Sequence, residues 1–291
     1  MRVAETVQQL RSYRATLAGK VGLVPTMGYL HEGHLSLVRK AAEDCDSVVV
    51  SIFVNPAQFG AGEDLTAYPR DLARDLELLA QERVDVVLCP SVEEMYPEPS
   101  DVSVEPGGIS ARLEGAARPG HFRGVATVVA KLLNLVQPHA AYFGRKDAQQ
   151  LAVLQRVVRG LHFPVEVVGC PTVREPDGLA LSSRNVYLTP VERRAAPAIY
   201  RALREGEALY GRGERDAERL KARVREILRS EPLLSPEYVS VADPSTLEDL
   251  VSVGPHGALL SLAARLGRAR LIDNVLLPPA AQQEDERAAG N

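Results

Sequence analysis

The segment VPTMGYLHEGHLSLV, residues 24–38, constrains this chain more than any other stretch. It reads as a buried strand, a glycine-punctuated turn and the first turns of a helix. His31 and His34 lie three residues apart where that helix opens, so their side chains leave from nearly the same face. A helix start gathers anions, because its first amides lack partners and the positive end of the dipole is there, and imidazoles donate hydrogen bonds to phosphate oxygens. Gly28 and Gly33 let the backbone turn tightly and a ligand approach closely. The stretch points to a nucleotide, with capping or surface chemistry as the ordinary alternative for two histidines. Zinc fits it poorly. The zinc-protease helix needs His-Glu-x-x-His, whereas here the second imidazole comes at three and no third ligand follows nearby.

With 291 residues and 45% hydrophobic content, the chain can bury one large core or divide in two, and two domains are expected. A net charge of −4 argues against nucleic-acid and membrane surfaces as partners, which demand a basic excess. Cys45, Cys89 and Cys170 sit apart in or beside apolar runs and read as buried free thiols in a reducing compartment. The first residues are too polar for a signal peptide, and no apolar run approaches the roughly 20 residues of a membrane span. A cytoplasmic protein is expected.

Read in order, Thr6 and Gln9 form a capping box ahead of a first helix, and residues 21–24 form a strand. After a helix over 31–42, residues 48–54 are a nearly continuous apolar run of the kind central parallel strands show. That run delivers Asn55 and Gln58 to its carboxyl end, where open α/β sheets bind ligands, although Asn-Pro also closes simple turns. Asp71 caps a further helix, and residues 84–88 are another short strand. Residues 90–108 read as a long surface excursion with one strand at 102–104. Arg118, His121 and Arg123 then stand just before an apolar helix over 125–136, suiting either an anion or a solvated basic loop. A strand at 140–143 runs into Gly144, Lys146 and Asp147; the lysine can reach a phosphate as a mobile point charge, and the aspartate can equally be an N-cap. Residues 165–168 add a strand, and a Pro-Asp-Gly turn leads to Ser182, Ser183 and Arg184, a second possible phosphate clamp. From 190 to 230 the sequence is charged, alanine-rich and helical, and strands follow at 238–241 and 270–275.

Taken together, VPTMGYLHEGH, SIFVNPAQF, EGAARPGHFRGV, FGRKDAQQL and PTVREPDGLALSSRN resemble the successive motifs of the pantothenate synthetases, the pantoate and beta-alanine ligases. The resemblance implies an α/β fold: a doubly wound parallel-sheet nucleotide-binding domain of the class I synthetase type, with a His-x-Gly-His signature, and a smaller α+β C-terminal domain. The expected division is a Rossmann-like domain over 1–175, a lid over 176–278 and a disordered tail over 279–291. It implies a ligase that adenylates pantoate with ATP, releases pyrophosphate and lets beta-alanine displace AMP, with Mg2+ accompanying ATP and a homodimeric assembly.

Residue by residue, the resemblance places ATP on Met27, Gly28, Tyr29, Leu30, His31, Glu32, Gly33 and His34. It adds Gly144, Arg145, Lys146, Asp147 and Val173, with Leu181, Ser182, Ser183 and Arg184 closing on the phosphates. His34, His31, Lys146 and Arg184 are the expected catalytic group, His34 as acid, offsetting with Mg2+ the repulsion between a carboxylate and a polyphosphate. Gln58, Gln150, Asn55 and Arg118 are expected to hold pantoate and beta-alanine. Asp75 is a candidate outer-shell helper to the metal. Ala57 stands where the family often has methionine, and Arg145 where an acidic residue is common.

Overall fold

The computed structural model describes residues 1–279; from residue 280 onward, the tail expected to be disordered lies outside the described residues. Two compact units divide the chain, Met1–Val173 and Arg174–Asn291.

In the first unit the elements are β1 (Arg2–Ala4), α1 (Val7–Arg14), β2 (Val21–Thr26), α2 (Glu32–Asp44), β3 (Ser47–Ile52), α3 (Leu72–Ala80), β4 (Val86–Leu88), α4 (Val92–Met95), α5 (Glu114–Ala117), α6 (His121–Val136), β5 (Ala140–Gly144), α7 (Ala148–Gly160) and β6 (Glu166–Cys170). The capping box at α1 is present: Thr6 Oγ1 accepts from the Gln9 amide, and Gln9 Oε1 accepts from the Thr6 amide. Asp71 caps α3 by accepting from the Arg74 amide at 3.1 Å.

The six strands form one parallel sheet in the order β1-β4-β3-β2-β5-β6. From β2 the chain steps through α2 and α3 toward β3 and β4; from β5 it steps through α7 the other way, to β6. The order therefore reverses between β2 and β5, and the loops leaving the carboxyl ends of these two strands open onto the crevice that doubly wound sheets use for ligands. Both sheet faces are covered, which is why β2, β3 and β4 are valine- and leucine-rich rather than alternating. One core joins Val24, Val48, Val50 and Val87 to Leu35, Val38 and Leu79 of α2 and α3.

Several expectations need correction. β1 is absent from the sequence reading; its three residues carry too short a pattern, and they are a strand only because β4 lies alongside. No strand forms at 102–104: the Val104 amide bonds Thr127 Oγ1 instead of a ladder. The helix expected at 125 starts at His121, after Gly120 at φ 84°, so His121 and Arg123 belong to its first turn. Cys45 and Cys170 are buried free thiols, but Cys89 is only half-buried.

The second unit holds α8 (Pro190–Ala195), α9 (Ala198–Gly211), α10 (Ala217–Arg229) and the antiparallel sheet β7-β8-β9 (Leu234–Ala242, Ala258–Leu266, Ala269–Leu277). The middle strand escapes the sequence reading because ALLSLAARL has the composition of a helix; pairing on both edges and burial of all but one residue make it a strand. Arg174, the first residue of this unit, forms a forked pair with Asp273 (2.6 and 2.9 Å) and lies 3.8 Å over the Tyr200 ring. Asp273 is 3% exposed, so losing its charge leaves a guanidinium without its counterion in a desolvated place. Asp273→Asn should lower the stability of this unit by about 3 kcal/mol, read from the urea midpoint by tyrosine fluorescence, as the chain contains no tryptophan.

Candidate active site

The turn after β2 is where the backbone works hardest. Gly28 and Tyr29 both adopt positive φ (80° and 51°), the first of them tightly placed: a Cβ on Gly28 would lie 3.0 Å from Asp75 Oδ2 and from the Ile52 side chain. The turn holds because Asp75, on α3 and 1% exposed, accepts the Tyr29 amide at Oδ2 and the Leu30 amide at Oδ1, each at 2.7 Å. Burial raises the Asp75 pKa and these two amides oppose the rise. With each oxygen accepting a backbone amide, Asp75 braces the turn.

Beyond the turn, α2 begins with its two histidines interlocked. His31 is the N-cap; its Nδ1 accepts from the Gly33 amide at 3.2 Å, and His34 Nδ1 accepts from the His31 amide at 3.3 Å. The rings lie 4.1 Å apart, tilted by 32°. An amide can only donate, so each Nδ1 is a lone pair and each neutral ring carries its proton on Nε2. Burial and the charge of Lys146 bring the His31 pKa down to about 4, and burial with His31 and Lys146 as neighbours holds His34 well below its ordinary value. At neutral pH both rings are therefore neutral, each a single N–H donor through Nε2.

Lys146 leaves the carboxyl end of β5, across the switch point, in the 3-10 turn Arg145–Asp147. Its Nζ lies 3.7 Å from Asp147 Oδ1. Asp147 occupies the N-cap position of α7 without making a side-chain cap bond, so the capping alternative fails there. Arg145 turns outward and donates to the Gly169 carbonyl at 3.1 Å.

The loop after β3 is held from several sides. Asn55, 1% exposed, donates through Nδ2 to Gln58 Oε1 (3.0 Å) and to the Gly124 carbonyl (3.2 Å), and its Oδ1 accepts from the Ala57 amide and the Tyr96 hydroxyl. Those bonds occupy both ends of its amide, so Asn55 orients Gln58 rather than touching a substrate. Gln58 Nε2 lies 3.1 Å from Met27 Sδ. The Gln58 carbonyl accepts from His121 Nδ1 at 2.8 Å and from Arg118 at 3.4 Å. Arg118 in turn is paired with Glu63 at 2.6 Å and donates to His121 Nε2. The RPGHFRG segment is thus a bracket for the Gln58 loop, and the anion site expected at Arg118, His121 and Arg123 is not assembled: Arg123 pairs with Glu105. Gly124 completes the bracket, since a Cβ there would fall 2.2 Å from the Ala57 carbonyl oxygen.

Gln149, which sequence did not single out, is buried and pins residues 109–114 by accepting from the Glu114 amide and donating to the Ile109 and Arg112 carbonyls. Its neighbour Gln150 is half-buried, and its side chain makes no hydrogen bond among the described residues. Val173 closes the first unit. In the second unit, Leu181 is half-buried and Ser182 caps the 3-10 turn Ser183–Tyr187, its hydroxyl accepting from the Arg184 amide at 3.3 Å. Among the described residues no three His, Cys, Asp or Glu side chains are grouped to hold a metal, and no helix is long and apolar enough to cross a membrane.

The sequence model of the pantoate-beta-alanine ligase family matches residues 2–276. The pantothenate synthetase of Chloroflexus aggregans is 59% identical over 277 residues, covering 95% of this chain and 100% of its own. The structure of pantothenate synthetase from Thermus thermophilus matches with a TM-score of 0.91 at 52% identity, over 96% of this chain and 100% of that one. A pantoate-beta-alanine ligase from Francisella tularensis, solved in complex with beta-gamma ATP and beta-alanine, matches with a TM-score of 0.80 at 37% identity, over 95% and 98% of the two chains.

His31 and His121 both titrate near 4 when folded against an ordinary 6.5, burial being the first cause in each. Below 6.5 the unfolded chain binds protons that the folded one refuses, so stability is whole above pH 6.5 and falls as pH drops toward 4. Each such histidine contributes a slope of up to about 1.4 kcal/mol per pH unit. In urea titrations between pH 6.5 and 4.5, His121→Gln should show a slope shallower by about one proton; an unchanged slope would mean that His121 is protonated in the native state.

Proposed function

The chain belongs to the pantoate-beta-alanine ligase family, and we propose that His31, His34 and Lys146 hold the phosphates of ATP while Gln58 and Gln150 hold pantoate. The reaction is the ATP-dependent formation of the amide bond between pantoate and beta-alanine, giving pantothenate. The observation that carries the site reading is the pair of Nε2–H donors fixed at the start of α2, with Lys146 acting on both rings from across the switch point.

The chemistry follows from these groups. A pantoate carboxylate oxygen bonds to the α-phosphorus as the bond from that phosphorus to the β-bridging oxygen breaks, and pyrophosphate leaves. No base is required, because the acid is already ionised; what it needs is placement, a contribution that reaches about 7–11 kcal/mol in well-oriented systems. The Nε2–H donors and the Lys146 ammonium stabilise the charge gathering on the leaving pyrophosphate. A polyanion beside the imidazoles also favours their charged forms, so nucleotide binding draws their pKa values upward. In the second step the beta-alanine nitrogen attacks the acyl carbon and AMP departs. Leu181, Ser182, Ser183 and Arg184 are further proposed as nucleotide contacts. Mg2+ is proposed to travel on the nucleotide, since imidazoles and an ammonium are not the oxygen ligands it prefers. The protein is further proposed to work as a cytoplasmic homodimer.

Isotope exchange between pyrophosphate and ATP should require pantoate and proceed without beta-alanine. Exchange independent of pantoate, or absent from folded protein that binds ATP, would overturn the adenylate reading. Lys146→Met should slow pantoate-dependent exchange about 100-fold while leaving the fold intact.

A further inference from the structure

We propose that Tyr96 is a positioning residue which, through Asn55, fixes Gln58 as a hydrogen-bond donor, so that the acid must present an acceptor oxygen to it. The inference rests on the reading of Gln58 as a pantoate contact. The order of the amide atoms is set by groups of one sense only. The Ala57 amide must donate, so Asn55 Oδ1 faces it at 3.3 Å; the Gly124 carbonyl must accept, so Nδ2 faces it at 3.2 Å. The remaining Nδ2 hydrogen goes to Gln58, which must offer its oxygen, at 3.0 Å. The Gln58 nitrogen is thereby turned the other way, toward Met27, with a hydrogen left over.

The Tyr96 hydroxyl supplies the shortest bond of this chain of contacts, 2.7 Å to Asn55 Oδ1. Burial lifts the phenol to about 12, so it stays protonated and donates. Its ring is held by the Lys131 ammonium at 4.8 Å, and Lys131 itself donates to the Met95 carbonyl at 2.8 Å. The Gln150 side chain, with no hydrogen-bond partner among the described residues, has no such constraint and can turn either end of its amide to the acid. The two glutamines therefore differ in what they ask of the acid, one being a fixed donor and the other adapting.

Tyr96→Phe removes one oxygen and nothing else. In the full-length protein, kcat/KM for pantoate should fall about three- to tenfold, the range of one net hydrogen bond, with KM for ATP unchanged, and 3-fluorotyrosine at position 96 should restore it. Unchanged pantoate kinetics, or KM values for ATP and pantoate that rise together, would overturn the proposal. Should the phenylalanine variant not fold, the wild-type protein still decides: the Gln58 side-chain NH2 signals should gain protection from hydrogen exchange when pantoate binds, and no gain with bound pantoate overturns the proposal. Pantoate-dependent exchange of the wild type is measured first. Its absence removes the pantoate reading itself; its presence beside an unaffected Tyr96→Phe removes only the role of Tyr96.

Discussion

The carboxylate of Asp75 bound to two consecutive amides is the interaction on which the rest of the site depends. It fixes Tyr29 and Leu30 just before α2, and so fixes where that helix begins and where its histidines stand. The geometry also ties two crossovers together, since α3 follows β3 whereas the turn follows β2. A buried carboxylate is costly without donors; here it has two backbone donors that would otherwise be orphans of a turn at positive φ. Each side satisfies the other, and a strained backbone is held without a bulky side chain in the crevice.

Around the Gln58 loop the same economy of charge recurs. Arg118 is neutralised by Glu63, His121 is neutral, and Asn55 uses both ends of its amide. In the proposed site, positive charge toward the phosphates is thereby left to residues away from this loop, and the acid meets uncharged amides. That separation has a physical reason. A guanidinium not paired as Arg118 is with Glu63 would hold any carboxylate, whereas amides distinguish donor from acceptor and so can read the pattern of oxygens on an acid.

Much of this was legible in the sequence. The 24–38 strand, turn and helix, the alternation of strands with helices, and the placing of His31, His34, Gln58 and Lys146 just beyond the carboxyl ends of strands follow from local pattern. What sequence could not show was how charges and amides are spent. Arg118 looks like an anion ligand until Glu63, 55 residues earlier, is seen beside it. Tyr96 lies in a proline-rich stretch that reads only as surface, and its partner is 41 residues away. Asp75 has a helical neighbourhood that says nothing of the amides it accepts. β8 misled in another way: alanine and leucine suit a helix, and only the strands on either side decide otherwise.

The interlocked histidines carry a consequence for how this fold can change. Good N-caps are short oxygen-bearing side chains, and imidazole is not among the strongest. The N-cap of α2 is therefore filled by a group chosen for the hydrogen on its far nitrogen, and the helix is capped less firmly than serine or aspartate would cap it. The same Nδ1 atoms that close the helix leave the protons on Nε2, so helix initiation and the fixing of these two donors share one set of lone pairs. Selection for a more rigid protein would strengthen this cap and erase the donors; selection for turnover keeps a weaker cap in place, and the stability given up there has to come from the sheet beneath it.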